Sequence, residues 1–288
     1  MERKKKTVNP AVRRRKRNAL LRFAIQVVFF LVAPSAYASA FSGIKEICTE
    51  FNQGAVLQWT AFSAMLVFLL LFTVVFGRFF CGYACAFGAV GDWIYFLSSL
   101  IQKKVRKKKK VFQLPDKVVR RLQYVKYLVL LLVLILCVLG QQSIINGNSP
   151  WTVFSFLSGG NLVPSGMTIG IVLLALIACG MAVQERFFCQ FLCPMGAVFS
   201  LLPVLPTGML KRNRENCIKG CSACTRTCPV CLELDTESMK SGECIRCGKC
   251  SGICPKQNIS LSASHFQGNE IWIVLVQSAA LLIGILVL

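Results

Sequence analysis

Cysteine carries the chemistry that can be read from this sequence. Cys244, Cys247, Cys250 and Cys254 are spaced C-x2-C-x2-C-x3-C, and the run ends in Pro255. Upstream, Cys217, Cys221, Cys224 and Cys228 are spaced C-x3-C-x2-C-x3-C and end in Pro229. A cubic 4Fe–4S cluster needs four thiolates at its corners. A tight loop delivers three, a distant segment must supply the fourth, and proline turns the chain there. The later run has the bacterial ferredoxin spacing, in which the fourth cysteine ligates the other cluster. We therefore expect two 4Fe–4S clusters. Cys217, Cys221, Cys224 and Cys254 would hold the first, and Cys244, Cys247, Cys250 and Cys228 the second. The earlier run has one extra residue between its first two cysteines, which leaves Cys231 as an alternative to Cys217. C-x2-C pairs also build structural zinc sites, but two interlocked runs that both end in Cys-Pro favour clusters. Adjacent clusters pass one electron at a time.

A second pattern is repeated. Arg78-Phe79-Phe80-Cys81 through Val90 matches Arg186-Phe187-Phe188-Cys189 through Val198 at eight of thirteen positions. The pairs Cys81/Cys85 and Cys189/Cys193 recur at the same places. If the repeats pack symmetrically, four thiols converge and could hold a third cluster. The other reading is two redox-active or idle pairs at helix ends, since i,i+4 spacing puts both thiols on one helical face. Arg78 and Arg186 would either offset anionic thiolates or a quinone head group, or snorkel to the interface. Asp92 and Glu185 are acidic groups at the bilayer edge, either solvated or proton acceptors for a quinol. Phe79, Tyr83, Phe87, Trp93, Tyr95, Phe187 and Phe191 read as an interfacial aromatic belt that could also line a quinone cleft. Cys137 and Cys179 read as small packing residues, Cys48 as an isolated external thiol, and His265 as a surface residue.

The elements that position these groups need an apolar solvent. The chain has 288 residues, 55% of them apolar, with mean hydropathy +0.60, against about 45–50% apolar in soluble domains. Apolar stretches at 23–41, 55–76, 127–145, 167–183 and 271–288 predict four spans and a fifth that either crosses or anchors at the interface. The first ends in Ala36-Tyr37-Ala38-Ser39-Ala40, so it reads as a retained span or, alternatively, as a cleaved signal peptide. The net charge of +21 is concentrated beside these stretches, which predicts positive-inside topology and contact with membrane lipid, and no nucleic-acid partner. Residues 42–54 carry one Lys and 146–166 carry no Lys or Arg, so these loops lie outside. The N-terminus and the Cys-rich segment lie in the cytoplasm of a bacterial cytoplasmic membrane. A single histidine and no C-x-x-C-H argue for no haem.

The expected fold is a membrane all-α bundle of four or five transmembrane helices in two parallel repeats, with a small cytosolic bicluster ferredoxin-like α+β domain. The divisions are a basic tail at 1–22 with 1–18 disordered, repeats at 23–102 and 103–210, the two-cluster domain at 211–265, and a C-terminal helix at 266–288.

The order of basic tail, spans, R-F-F-C-x3-C, spans, R-F-F-C-x3-C-P-x-G-A and double ferredoxin run resembles the NapH/NosR-type membrane polyferredoxins. That resemblance implies a quinol dehydrogenase-like electron-transfer component, with Cys81, Cys85, Cys189 and Cys193 sharing in the role. It implies a quinol or cytosolic ferredoxin-type donor and a redox partner subunit, either a flavoprotein or a reductase. A redox maturation factor and a redox-sensing regulator are the rival functions. Two departures stand out: Ala86 replaces the family's proline, and the fifth span is extra to the four-span NapH pattern.

Overall fold

The computed structural model describes residues 10–54, 59–106, 114–141, 149–164, 166–205, 209–213, 215–232, 242–261 and 270–288. His265 lies outside them.

The chain is mostly helical. Helix α1 (Pro10–Val32) opens on proline, whose missing N–H costs nothing at a first helical position. Pro34 stops it, and α2 (Ala36–Gln53) resumes at a 60° bend. The expected straight span at 23–41 is therefore two helices. The small-residue run at 36–40 lies inside α2, with Ala36 and Ala40 buried. The basic segment also departs from the expected disorder, since residues 10–18 are helical. Helix α1 lies against the Cys-rich segment, with Gly252 beside Arg15 and Asn18, and Arg14 donates to the carbonyl of Cys254.

Helix α3 (Ala61–Phe76) starts at a Thr60–Ser63 capping box. It returns antiparallel along α2, with Thr60 Oγ1 on Glu46 at 2.5 Å and Gly43 against the carbonyl of Phe62. A π-helical turn (Phe80–Ala84) leads into α4 (Ala86–Arg106). The second half follows with α5 (Asp116–Leu122), α6 (Val125–Val138), α7 (Pro150–Ser158), α8 (Thr168–Val183), α9 (Phe187–Phe191) and α10 (Pro194–Leu201). Then come β1 (Leu210–Arg212), α11 (Ala223–Thr227), α12 (Lys249–Ile253), β2 (Ile259–Leu261) and α13 (Glu270–Val287). Strands β1 and β2 pair antiparallel, Leu210 opposite Leu261. Helix α13 packs on α3, where Gly284 leaves room for the ring of Phe68.

By length and composition, Asp116–Val138 can cross a membrane, and the bent α1–α2 pair passes the same test. Helices α3, α8 and α13 are shorter apolar helices. The outer faces of these three helices and of α6 expose Leu71, Leu131, Val172, Leu176, Val276 and Ile283.

The core is aromatic where the two repeats meet. Phe79, Tyr83, Phe87 and Phe191 are at most 6% exposed. Tyr83 stacks on Phe79 at 4.5 Å, and Phe87 packs on Phe188 at 4.3 Å. This corrects the expectation of an interfacial belt at those four positions. They are buried inside the protein, and Phe87 packs across the repeats on Phe188.

Candidate metal centres

Two sulfur-lined sites form in the Cys-rich lobe. Cys217, Cys221, Cys224 and Cys254 line one cavity with Arg212, Pro255 and Asn258. The Cys217 sulfur accepts from Arg212 Nε at 3.4 Å and from Asn258 Nδ2 at 3.7 Å. Cys231 faces elsewhere, hydrogen-bonded to Asp116, with its thiol pushed up to about 11 by burial and then by the Asp116 charge.

The second site gathers Cys244, Cys247, Cys250 and Cys228. Burial and the neighbouring Cys247 charge push Cys228 up to about 12. Burial, then Cys247, Cys244 and Cys228, raise Cys250. Each of the two short lobe helices is capped by the last cysteine of its run, which turns toward the other site. Cys228 follows α11 and Cys254 follows α12, both with extended backbone. Helices α11 and α12 pack on one another.

Cys81, Cys85, Cys189 and Cys193 converge at a third site where the repeats meet, and all four are buried. Burial, then Cys189 and Cys81, push Cys193 up to about 12. Cys85 is raised by burial and by the same neighbours. The two repeats hold this site reciprocally. Arg186 reaches into the first repeat, donating to the carbonyl oxygens of Cys81 at 2.5 Å and Gly82 at 3.0 Å. Arg78 reaches toward the second, and a Cβ on Gly196 would sit 3.0 Å from its Nη2. Cys193 caps α10, accepting from Gly196 N at 3.1 Å. Cys85 does the same at the start of α4 with Gly88. Helix N-termini thus face two of the sulfurs, where their dipoles favour negative charge. Ala86 begins its helix as Pro194 does, so the missing proline leaves the local turn intact.

Among the described residues, no three His, Cys, Asp or Glu close around a point as a single metal ion requires. The orphaned Nε and Nη2 of Arg78 give an independent test at the third site. Two unpartnered nitrogens of one guanidinium in a buried nest of four thiols fit a group of net negative charge. Thiols held this high stay protonated until a metal displaces the proton.

Carboxylates lock the arginines. Asp92 accepts from Arg186 Nε at 2.8 Å, Arg22 Nη2 at 2.5 Å and Gln26 Nε2 at 2.7 Å. Burial would raise Asp92, but Arg186 and Arg22 outweigh it and hold the carboxyl below its usual range. Glu185 pairs with Lys249. Both acids are therefore engaged by cations rather than open to solvent. Glu243, immediately before Cys244, receives Arg78 at 3.2 Å, Tyr127 at 2.9 Å and Lys126. Arg246 donates to Phe76 O at 2.5 Å, closing the C-terminus of α3. Gly82 lies against the backbone of Ile245, leaving no room for a Cβ, which would stand 2.3 Å from that carbonyl oxygen. The lobe is thus seated directly on the first R-F-F-C motif.

Sequence reasoning missed Glu243, Lys126, Tyr127, Arg22, Gln26, and Tyr37, whose hydroxyl is 3.6 Å from the Cys193 sulfur. Glu243 had one signal, its place beside the first ligand of the later run. The others had none, because their partners are distant in sequence.

Comparison with known proteins bears on these sites. A family described as a 4Fe-4S binding domain matches residues 57–108 and 166–212, the two segments that carry the repeated Cys pairs. The chain is 32% identical to MJ0749, an uncharacterised protein of Methanocaldococcus jannaschii, over 85% of this chain and 87% of that one. It is 22% identical to the ferredoxin-type protein NapH of Escherichia coli over 72% of this chain and 70% of NapH. It is 25% identical to the regulatory protein NosR of Pseudomonas aeruginosa over 67% of this chain but 27% of NosR. No solved structure matches. With two interlocked ferredoxin runs, the repeated Cys motif and this likeness together, the chain belongs to the NapH/NosR-type family of 4Fe–4S ferredoxin-type proteins, alongside MJ0749.

Proposed function

We propose that this is a multi-pass membrane electron carrier. In this reading the helices of repeats 23–102 and 103–210, with the C-terminal helix 266–288, span the bilayer, and the lobe at 211–265 with the tail 1–22 faces the cytoplasm. The apolar outer faces of α3, α6, α8 and α13 support it, because such surface is costly in water. Cys217, Cys221, Cys224 and Cys254 hold one 4Fe–4S cluster, and Cys244, Cys247, Cys250 and Cys228 the second. Cys81, Cys85, Cys189 and Cys193 hold a third. When bound, each cluster accepts and releases one electron.

The observation that carries the reading is the continuity of the three cysteine sites. The first and second meet across the packed α11 and α12. The second meets the third where Ile245 lies on Gly82 and where Gly248 faces Tyr83 Oη, 3.3 Å from its Cβ position. The chain's own groups exclude water from this line and supply it with cations, Arg78, Arg186 and Arg246. Between α1, the lobe and the start of α13 a polar cavity of about 980 Å³ is lined by Arg14, Arg17, Lys211, Arg212 and Lys256, with Glu215 as its one acidic group among the described residues. It shares Arg212 and Lys256 with the first cysteine site. Those cations suit an acidic cytosolic donor, and a quinol remains the other donor that the family suggests.

Anaerobic EPR with an iron count on the same sample tests this. The expected result is roughly twelve irons per chain, falling to roughly eight in Cys193→Ser. An unchanged count in that variant would remove the third cluster. Signals that change on adding menaquinol would identify a quinol donor. Signals that respond to dithionite alone would identify a low-potential ferredoxin-type donor.

A further inference from the structure

The third cysteine site takes matching parts from its two motifs, and one side chain breaks the match. Gly196 N donates to the Cys193 sulfur at 3.1 Å, and Gly88 N donates to the Cys85 sulfur in the same way. Arg186 Nη1 stands 4.0 Å from the Cys189 sulfur, and Arg78 Nη2 lies beside Gly196. Cys193 has one further partner. The Tyr37 hydroxyl is 3.6 Å from its sulfur.

Tyr37 is placed by the bend in the chain and held by packing. Pro34 stops α1, and the 60° bend turns α2 so that its second residue meets Cys193. The Tyr37 ring is buried, stacked on Phe41 at 6.4 Å and edge-on to Phe188 at 6.2 Å. Phe188 directly precedes Cys189, so the ring is seated on the second motif itself. The first motif has a different neighbour. Helix α7 lies on it through Phe154, 4.7 Å from Phe87. The segments that form α2 and α7 align in one register, with Pro34 on Pro150, Ser42 on Ser158 and Gly43 on Gly159. That register sets Val153 against Tyr37. Val153 is fully buried, and its side chain has no polar atom to offer.

We propose that Tyr37 is a positioning residue of the third site, donating a hydrogen bond to Cys193 Sγ that raises the site's reduction potential. This rests on the reading that Cys81, Cys85, Cys189 and Cys193 hold a cluster. A ligating cysteine is a thiolate and can only accept, so the hydroxyl is the donor. Gaining one electron makes the cluster and its thiolates more negative. A donor aimed at one of those sulfurs stabilises the more negative state, and hydrogen bonds to the sulfurs are among the features that set such potentials. In the dry interior of the bundle that bond is stronger than it would be in water. Raising the third site relative to the lobe favours electron flow from the lobe into the bundle.

The test is an EPR-monitored redox titration of the full-length protein in detergent, with iron counted on the same samples. Cys193→Ser identifies the signal that belongs to the third site. Tyr37→Phe removes the oxygen and keeps the ring against Phe41 and Phe188. That variant should keep the wild-type iron content, show a lower midpoint for the third signal and leave the two lobe midpoints unmoved. An unmoved third midpoint at full iron content would overturn the inference and leave the cluster reading standing. A drop shared by all three signals would also overturn it, as the mark of a general change. So would iron loss in Tyr37→Phe alone, which would make the hydroxyl a requirement for holding the cluster. Roughly eight irons in the wild type would remove the third cluster and this inference with it.

Discussion

At the scale of single residues, the decisive groups beside the cysteines are charges that hold one another. Arg186 adopts a left-handed backbone, φ 59°, uncommon for a residue with a side chain. What over-determines it is a fork of two contacts to Asp92 and two to the carbonyls of Cys81 and Gly82. Replacing Asp92 by Asn would leave the buried guanidinium without a counter-charge. Breaking a buried pair in this way costs about 3–5 kcal/mol. We expect a clearly lower thermal transition in detergent for Asp92→Asn, and an unmoved transition would refute the pairing argument. Cys217 and Cys231 illustrate why type and spacing are insufficient at this scale. Both are cysteines within reach of the earlier run, yet only Cys217 turns into the cavity with Cys254.

Among the elements, the two repeated motifs reach one geometry by different residues. Cys85 and Cys193 have nearly the same backbone, φ −64° with ψ 115° and φ −74° with ψ 111°. That extended conformation is the one a following proline demands. Ala86 occupies the first helical position, where the N–H has no helical partner. Ala86→Pro should therefore change stability by less than about 0.5 kcal/mol, read as a melting shift. A large loss would mean that the first repeat needs its alanine for packing. Gly82 makes the opposite case. A Cβ there would collide with the carbonyl oxygen of Ile245, and backbone cannot rotate aside. Gly82→Ala should cost about 1–3 kcal/mol and loosen the lobe, seen as faster proteolysis within 211–265. Wild-type cleavage rates would show that the lobe does not rest on this motif.

For the whole molecule, the lobe and the bundle are joined by charge as well as by close packing. Burial would raise Glu243, but Arg78 and then Lys126 hold it below its ordinary value. A carboxyl with a depressed folded pKa stabilises the fold above the unfolded value, about 4.3, and loses that contribution as pH falls through the folded value. Lobe attachment should therefore weaken on acidification below about pH 4. Limited proteolysis at stepped pH would register this, and Glu243→Gln should remove the added sensitivity. Equal acid sensitivity in Glu243→Gln would place the weak point elsewhere. Among its described residues, the Cys-rich segment has one two-stranded ribbon and two single-turn helices. Such a lobe has little core of its own and leans on the bundle beneath it.

The sequence by itself determined the local chemistry. Cysteines three or four residues apart must share a turn, so the two ferredoxin runs and the repeated R-F-F-C pairs were legible from spacing alone. Apolar stretches likewise foretold most of the helices. Tertiary structure decided what meets across distance. Pro34 ended a helix that hydropathy continued, and a 60° bend sent α1 to the lobe instead of straight through. The convergence of Cys81 and Cys189 and the crossing of Arg78 and Arg186 between repeats join residues more than a hundred positions apart. No periodicity specifies such pairs. They follow from which helix faces are buried together, and that depends on the packing of the entire chain.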